Sequence, residues 1–173
     1  MALTKIQSLG ITDGTIVNAD INASAAIAGT KLSGVGKVLQ VVTATDSTQR
    51  TTTSTSFVTA SNTMELSITP SSASNKVYVI ASGNIYINAP GYYCIATIFR
   101  NSTNLGGSAG MTNNYNGGYD AGASLCVSVL DSPNTTSAIT YQLYIRTSNV
   151  SGTATLNQNS NCQGSITAFE IAG

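Results

Sequence analysis

Two stretches of the chain decide its fold: residues 92–100 read YYCIATIFR, and residues 138–147 read AITYQLYIRT. In both stretches the side chains alternate between two sets with a period of two, which is the period of a β-strand. One face of the first stretch carries Tyr93, Ile95, Thr97 and Phe99, and the other carries Tyr92, Cys94, Ala96 and Ile98. The second stretch sets Tyr141, Leu143 and Ile145 against Gln142, Tyr144 and Arg146. Both stretches are therefore predicted to be strands with two distinct faces.

Similar segments recur from Val35 onward, separated by turns rich in Ser, Thr, Asn, Gly and Pro, and helical periodicity is absent. The predicted strands are 37–45, 57–69, 76–88, 92–100, 121–130, 138–147, 153–156 and 165–171. Gly83 is predicted to mark a bulge, and Asp131 is predicted to lie in the turn beside Pro133. The number and spacing of these strands predict an all-β head, residues 35–173, folded as an antiparallel β-sandwich of jelly-roll type.

Residues 1–34 have a different pattern. Apolar residues recur at a spacing of five, and then slightly more, at Ile6, Ile11, Ile16, Ile21, Ile27 and Leu32. This spacing fits neither a helix nor a strand, but it suits short extended pieces joined by tight turns. One such ribbon cannot bury these side chains, whereas three copies wound around an axis can. We therefore expect an intertwined stem with these six residues as the core of a homotrimer. An arm that becomes ordered on a partner and a monomeric pentapeptide-repeat helix are the alternatives.

The composition argues against several classes of function. The chain has no His, and its seven Lys+Arg and seven Asp+Glu make up only 8% of the residues, against roughly 25% in an average protein. A chain without His has no Ser-His-Asp triad and no imidazole metal site. Its scattered cations do not form the basic patch that nucleic acid requires. We expect no enzymatic activity, no metal, no cofactor and no nucleic-acid partner.

The usual signals for export and membrane insertion are also missing. Residues 1–10 have no apolar core that could act as a signal peptide, and no apolar run approaches the ~20 residues of a spanning helix. The three cysteines, Cys94, Cys126 and Cys162, are too far apart for a CxxC motif. We expect no membrane insertion, and we expect unpaired, buried thiols in a protein that assembles in a reducing cytoplasm.

Residues 101–122 (NSTNLGGSAGMTNNYNGGYDAG) are the candidate ligand-binding region, and they are predicted to be a loop between two strands. Tyrosine supplies rigid contact area and asparagine supplies hydrogen bonds, a combination typical of adaptable binding loops. Tyrosine rings also stack on the apolar faces of sugars. The candidate glycan-contact residues are Asn113, Asn114, Tyr115, Asn116, Tyr119 and Asp120. A flexible connector, or a loop that packs on a neighbouring subunit, would have the same composition.

Two segments resemble parts of a known protein family. Residues 11–34 (ITDGTIVNADINASAAIAGTKLSG) resemble the N-terminal DGTI…ADI…IA…KL stretch of virion surface proteins of marine phages and cyanophages. Residues 38–77 contain VLQVV, TTSTSFV, LSITPSS and NKV in that order, and this segment looks like a module of phage fibres. Proteins of this kind include tail-fibre-like proteins and head-fibre, or capsid decoration, proteins.

The resemblance implies a homotrimeric structural protein on the surface of a bacteriophage virion, assembled in the host cytoplasm, and it implies no catalytic residues. A short stem suits a decoration protein or short fibre that is anchored to a capsid or tail protein by its N-terminus. An apolar patch of Leu3, Ile6 and Leu9 is available there for docking. The head would then face outward and bind host-surface polysaccharide. The alternative is a receptor-binding tail-fibre adhesin whose main role is host recognition.

Overall fold

The computed structural model describes residues 37–118, 121–160 and 162–173. The chain divides into the units Met1–Val35 and Gly36–Gly173. The proposed stem and the N-terminal apolar patch lie outside the described residues. The same is true of Tyr119 and Asp120.

The described residues form eleven β-strands and one short 3-10 turn. In chain order these are β1 (Val38–Asp46), β2 (Arg50–Thr52), β3 (Glu65–Ile68), β4 (Lys76–Ile87), β5 (Tyr93–Arg100), β6 (Thr103–Asn104), β7 (Thr112–Tyr115), β8 (Ala121–Asp131), β9 (Ile139–Thr147), β10 (Ala154–Leu156), the turn Gln158–Ser160, and β11 (Gly164–Ile171). Each segment that the sequence predicts to be a strand overlaps one of these strands. The predicted all-β fold is therefore confirmed.

The strands form two antiparallel sheets. In the first sheet, β8 pairs with one edge of β4, and β11 and β10 lie end to end along its other edge. Strands β1 and β2 continue this sheet by pairing with β11 and β10, respectively. The second sheet has the order β3, β9, β5, and then β7 and β6, which lie end to end along β5. Each sheet thus has four strand positions, and this order is that of a jelly roll.

The core lies between the two sheets and takes up alternate residues of several strands. The buried positions include Val77, Val79, Ala81, Ile85 and Ile87 of β4, Cys94, Ala96 and Ile98 of β5, and Tyr141, Leu143 and Ile145 of β9. Burial alternates regularly along β9, so one face of that strand is turned inward, whereas in β5 every residue from Cys94 to Ile98 is buried. Residues 92–100 and 138–147 are both strands, as predicted, but burial distinguishes the two faces only in residues 138–147, because Ile95 and Thr97 are buried as well.

The bulge predicted at Gly83 is wrong. The pairing of β4 with β8 runs through Gly83 without a shift, and Gly83 lies opposite Leu125. On the other edge of β4, Gly83 lies between the last residue of β10 and the beginning of β11. A Cβ atom at this position would lie 3.2 Å from Asn157 Oδ1 and 3.3 Å from Gly164 Cα. The glycine therefore makes room for the change of partner strand and does not distort β4.

The turn predicted at Asp131 is also misplaced, because Asp131 is the last residue of β8 and is buried. Its Oδ2 accepts a hydrogen bond from the Tyr141 hydroxyl at 2.6 Å. The Arg100 guanidinium donates to both carboxylate oxygens of Asp131 at 2.8 Å. Burial raises the pKa of Tyr141, and its hydrogen bond to the Asp131 carboxylate raises this pKa further. Asp131 therefore joins β8, β9 and β5 inside the sandwich.

Glu170 is a buried carboxylate that is held by neutral donors. It accepts hydrogen bonds from the Gln40 side chain at 2.7 Å, from the Ser71 amide and hydroxyl at 2.6 and 2.8 Å, and from the Asn75 side chain. Burial acts to raise the pKa of Glu170, but these hydrogen bonds outweigh it and lower the pKa to about 2. The carboxylate thus ties β1 and the β3–β4 connection to β11.

Asp46 plays a similar part at the corner between β1 and β2. Its carboxylate pairs with the Arg50 guanidinium at 2.9 Å and accepts hydrogen bonds from the backbone amides of Thr48 and Thr63. Burial opposes ionisation, but the backbone hydrogen bonds and Arg50 together lower the pKa of Asp46. The side chain therefore fixes the sharp change of direction that ends β1.

The cysteines differ in exposure, although burial was expected for all three. Cys94 is buried in the core, whereas Cys126 and Cys162 are exposed, so the expectation is wrong for these two. All three fall within the described ranges and carry free thiols. Burial raises the pKa of Cys94 to about 12, despite backbone hydrogen bonds that act in the other direction.

We predict that Glu170 makes the head sensitive to acid. Because its pKa is lowered from 4.5 to about 2 on folding, its stabilising contribution is complete above about pH 5 and is lost as the pH falls toward 2. Glu170→Gln should destabilise the head at pH 7 by roughly 1–3 kcal/mol, since the amide keeps one acceptor oxygen, loses the negative charge and turns its NH2 group toward a donor. It should also flatten the dependence of the free energy of unfolding on pH between 5 and 2. Urea titrations of both proteins across this range measure the effect.

Glu65→Gln is the matched control, because Glu65 is an exposed carboxylate on β3. This variant should follow the pH dependence of the unsubstituted protein. If the Glu170→Gln curve also runs parallel to that of the unsubstituted protein, the assigned role of Glu170 is wrong.

We also predict two classes of thiol. In the native protein, Cys126 and Cys162 should react with a disulfide reagent within minutes, whereas Cys94 should react only on unfolding because it is buried and un-ionised. Thiol counting should therefore give two groups per chain before denaturant is added and three afterwards. Three rapidly reacting thiols in the native protein would contradict the burial of Cys94.

Candidate functional site

The two ends of the sandwich carry different parts of the chain. Strand β4 has 12 residues and spans about 36 Å from one end to the other. Val38 is in register with Ile171, which is in register with Lys76 at the start of β4. The described chain therefore begins at the end of the sandwich where β4 begins, which we call the Lys37 end. The opposite end, where β4 finishes, is called the Tyr115 end.

Three connections meet at the Tyr115 end, and hydrogen bonds join them. The amide of Asn116 donates to the carbonyl of Tyr92 at 3.0 Å, which links the β7–β8 connection to the β4–β5 connection. The amide of Gly91 returns a hydrogen bond to the Asn116 carbonyl at 2.6 Å. The amide of Tyr93 donates to Ser148 Oγ at 2.9 Å, which adds the β9–β10 connection. The end of the head is therefore one continuous hydrogen-bonded surface.

Tyr93 and Tyr115 form an exposed aromatic pair on this surface. They lie directly opposite each other on β5 and β7. Their ring centroids are 4.7 Å apart with an angle of 37° between the ring planes. The two side chains nevertheless remain 38% and 49% exposed. Two packed rings with free faces provide a contact area that loses little conformational entropy when a ligand binds.

The asparagines beside Tyr115 are not equivalent. Asn113 is exposed, whereas Asn114 and Asn116 are buried. Asn114 Nδ2 donates to the carbonyl of Ile85 at 3.4 Å, and Asn116 Nδ2 donates to the carbonyl of Ile87 at 3.1 Å. These two amides therefore connect β7 in the second sheet to β4 in the first. The two buried asparagines position Tyr115. Within residues 113–116, Asn113 and Tyr115 are the exposed residues.

The predicted loop over residues 101–122 is wrong in part, because β6 and β7 lie within it and β8 begins at its end. Strands of two and four residues with no apolar alternation are hard to recognise from sequence. The candidate residues Tyr119 and Asp120 lie outside the described residues. The aromatic partner of Tyr115 is Tyr93, which the sequence analysis placed on a strand face but not in the site.

A second aromatic cluster lies on the same sheet as the Tyr93–Tyr115 pair, where Phe99 of β5 stacks on Tyr144 of β9 with ring centroids 4.0 Å apart. Phe57 meets Phe99 edge to face, and the Arg146 guanidinium lies 5.0 Å from the Phe57 ring centre. All four side chains are half-buried. Gly110, at φ +76°, lets the neighbouring loop close over the cluster, because a Cβ there would approach the Phe57 ring to 3.1 Å. This cluster is therefore part of the packing.

The described residues offer a surface and not a cleft. No pocket opens in the ranges 37–118, 121–160 and 162–173. Within the same ranges, no group of three His, Cys, Asp or Glu side chains could hold a metal ion. Three carboxylates of the head, those of Asp46, Asp131 and Glu170, already have partners inside the sandwich. No helix in this part of the chain is long and apolar enough to cross a membrane. The arrangement at the Tyr115 end is suited to shallow contact with a ligand.

The chain matches no known family model and no curated protein. Among solved structures it is similar to the crystal structure of the infectious bursal disease virus VP2 subviral particle, with 13% sequence identity and a TM-score of 0.38. The similarity covers 76% of this chain and 38% of that chain. A likeness of this size carries no argument about function, and the jelly-roll assignment depends on the strand order described above.

Proposed function

We propose that the protein is a homotrimeric structural protein of a bacteriophage virion surface, a short fibre or decoration protein. Its N-terminal segment anchors it to a capsid or tail protein, and its head binds host-surface glycan through the Tyr115 end. The protein is not an enzyme and uses no cofactor. The observation that carries this proposal is the exposed Tyr93–Tyr115 pair at the end of the sandwich opposite residue 37.

The fold supports both halves of the proposal, because jelly rolls build viral capsid domains as well as lectin domains. The direction of the chain supports different roles for the two ends, with anchoring at one end and glycan binding at the other. Residues 1–36 continue from the Lys37 end, so a virion partner held by these residues leaves the Tyr115 end free. The two functions then act about 36 Å apart, along the length of β4.

The chemistry of the described surface supports a polar and largely neutral ligand. Arg50 and Arg100 are paired with buried carboxylates inside the head. Ser, Thr and Asn supply 62 of the 173 residues and provide many hydrogen-bonding groups. A sugar presents hydroxyls to such groups and an apolar ring face to tyrosine. Shallow aromatic contact also fits a surface glycan better than a small molecule, which usually binds in a concave pocket.

We predict that removing both rings, in the double variant Tyr93→Ala with Tyr115→Ala, weakens glycan binding by about tenfold or more. The probe is an array of purified bacterial surface polysaccharides to which the full-length protein binds. The double variant Tyr93→Phe with Tyr115→Phe should keep most of the binding, because it retains the ring faces. The thermal midpoint of each variant, measured in parallel, shows whether the head remains folded.

Val150→Ala is the matched control, because Val150 is 68% exposed in a connection at the same end of the head but has no aromatic ring. This control should bind as the unsubstituted protein does. Undiminished binding by the folded double alanine variant would contradict the assigned site. Absence of binding to any polysaccharide on the array by the unsubstituted protein would contradict the glycan-binding role and leave decoration as the function.

A further inference from the structure

The outer face of the first sheet carries a continuous row of apolar side chains. Val41 on β1 lies opposite Phe169 on β11, which lies opposite Tyr78 on β4, which lies opposite Leu130 on β8. We call these four residues the apolar row. Strands in a sheet are spaced by about 4.8 Å, so the row crosses the whole sheet over about 14 Å.

The row is open to solvent in the single chain. Val41 is 55% exposed and Leu130 is 53% exposed. The Phe169 and Tyr78 rings between them are half-buried, with centroids 6.3 Å apart. Leu39, in the irregular stretch at the start of β1, adds a further exposed apolar side chain beside the row. Contiguous apolar surface of this kind indicates a contact surface more often than isolated exposed residues do.

The rest of the same face is different in character. The next rows toward the Tyr115 end pair hydroxyls across the strands: Thr43 bonds Thr167, and Ser82 bonds Ser165 at 3.0 Å. The apolar row is therefore confined to the Lys37 end, and hydroxyl side chains border it on the side that faces the Tyr115 end. A surface divided in this way fits a local contact near the beginning of the head and not a contact along its whole length.

The distance along the chain decides which partner can reach the row. Val41 is four residues after Lys37, so its Cα lies at most about 14 Å from that of Lys37. In the proposed homotrimer, three chains leave a common stem and enter their heads through Lys37. The three copies of the apolar row are then held close to one another, at a local concentration that a separate partner cannot match.

We propose that the apolar row is the contact surface between heads, on which the same face of the two neighbouring copies of this chain packs around the threefold axis. This inference rests on the proposed homotrimer and adds the residues through which the heads meet. The row and Leu39 cover a few hundred Å² at most, below the roughly 800 Å² per partner of a standard stable interface. The contact therefore orients the heads, while the stem supplies most of the association.

The experiment uses the full-length chain with Cys126→Ser and Cys162→Ser, so that the buried Cys94 is the sole remaining native thiol. Val41→Cys is then introduced into this background. Under mild oxidation, or with a short bis-maleimide, this variant should give covalently linked dimers on a non-reducing gel, because the third chain of each trimer has no free partner. Thr45→Cys is the matched control, since Thr45 is exposed on the same strand and face but lies outside the row. It should cross-link at least tenfold more slowly.

Sedimentation of the same proteins gives the oligomeric state, and so tests the homotrimer separately from the contact between heads. A mass of three chains with rapid cross-linking at position 41 supports the contact. A mass of three chains with equal rates at positions 41 and 45 overturns the contact and leaves the homotrimer intact, and the row then remains available for a different virion protein. A mass of one chain at micromolar concentration overturns the homotrimer, and the contact between heads with it.

Discussion

Pairing along both edges of β4 is the constraint on which the rest of the head depends. Strand β8 accompanies β4 from Val77 to Ile87, and β11 and β10 share its other edge on either side of Gly83. The inward residues of β4 are almost completely buried against the second sheet. A single straight strand therefore sets the length of the sandwich and separates its two ends. The described chain begins at one end of this strand and the tyrosine pair lies at the other, and the proposed separation of roles depends on this distance.

Charge is scarce in this protein, and the head uses much of it internally. The carboxylates of Asp46, Asp131 and Glu170 are each buried, and each joins strands or connections that are distant in sequence. Glu170 does so with neutral donors alone, which explains why its pKa lies so far below that of a free carboxylate. Such buried groups favour one arrangement of the chain, since a misplaced carboxylate would lack its partners. The described outer surface carries mainly hydroxyls, amides and a few aromatic and aliphatic groups, with few charges such as those of Glu65 and Lys76.

The sequence was sufficient for the sheet class because alternation in β5 and β9 is a local property of the chain. It was insufficient wherever a role depends on a partner strand. The burial of Asp131 requires Arg100 and Tyr141, which approach it only when β8, β5 and β9 assemble. The same is true of Tyr93, whose pairing with Tyr115 requires the register of β5 and β7. Asparagine was expected to face a ligand, but Asn114 of β7 and Asn116 just after it are buried and connect the two sheets.

The central claim is that the two ends of the head have different roles, with the Lys37 end toward the particle and the Tyr115 end away from it. An electron cryomicroscopy map of the virion that carries this protein tests the claim most directly, because β4 is long enough to orient the jelly roll in density. The account predicts three heads around a threefold axis, with Lys76 nearest the particle and the Tyr93–Tyr115 pair at the outermost surface. Heads lying with the tyrosine pair against the particle, or a single head at each site, would contradict it.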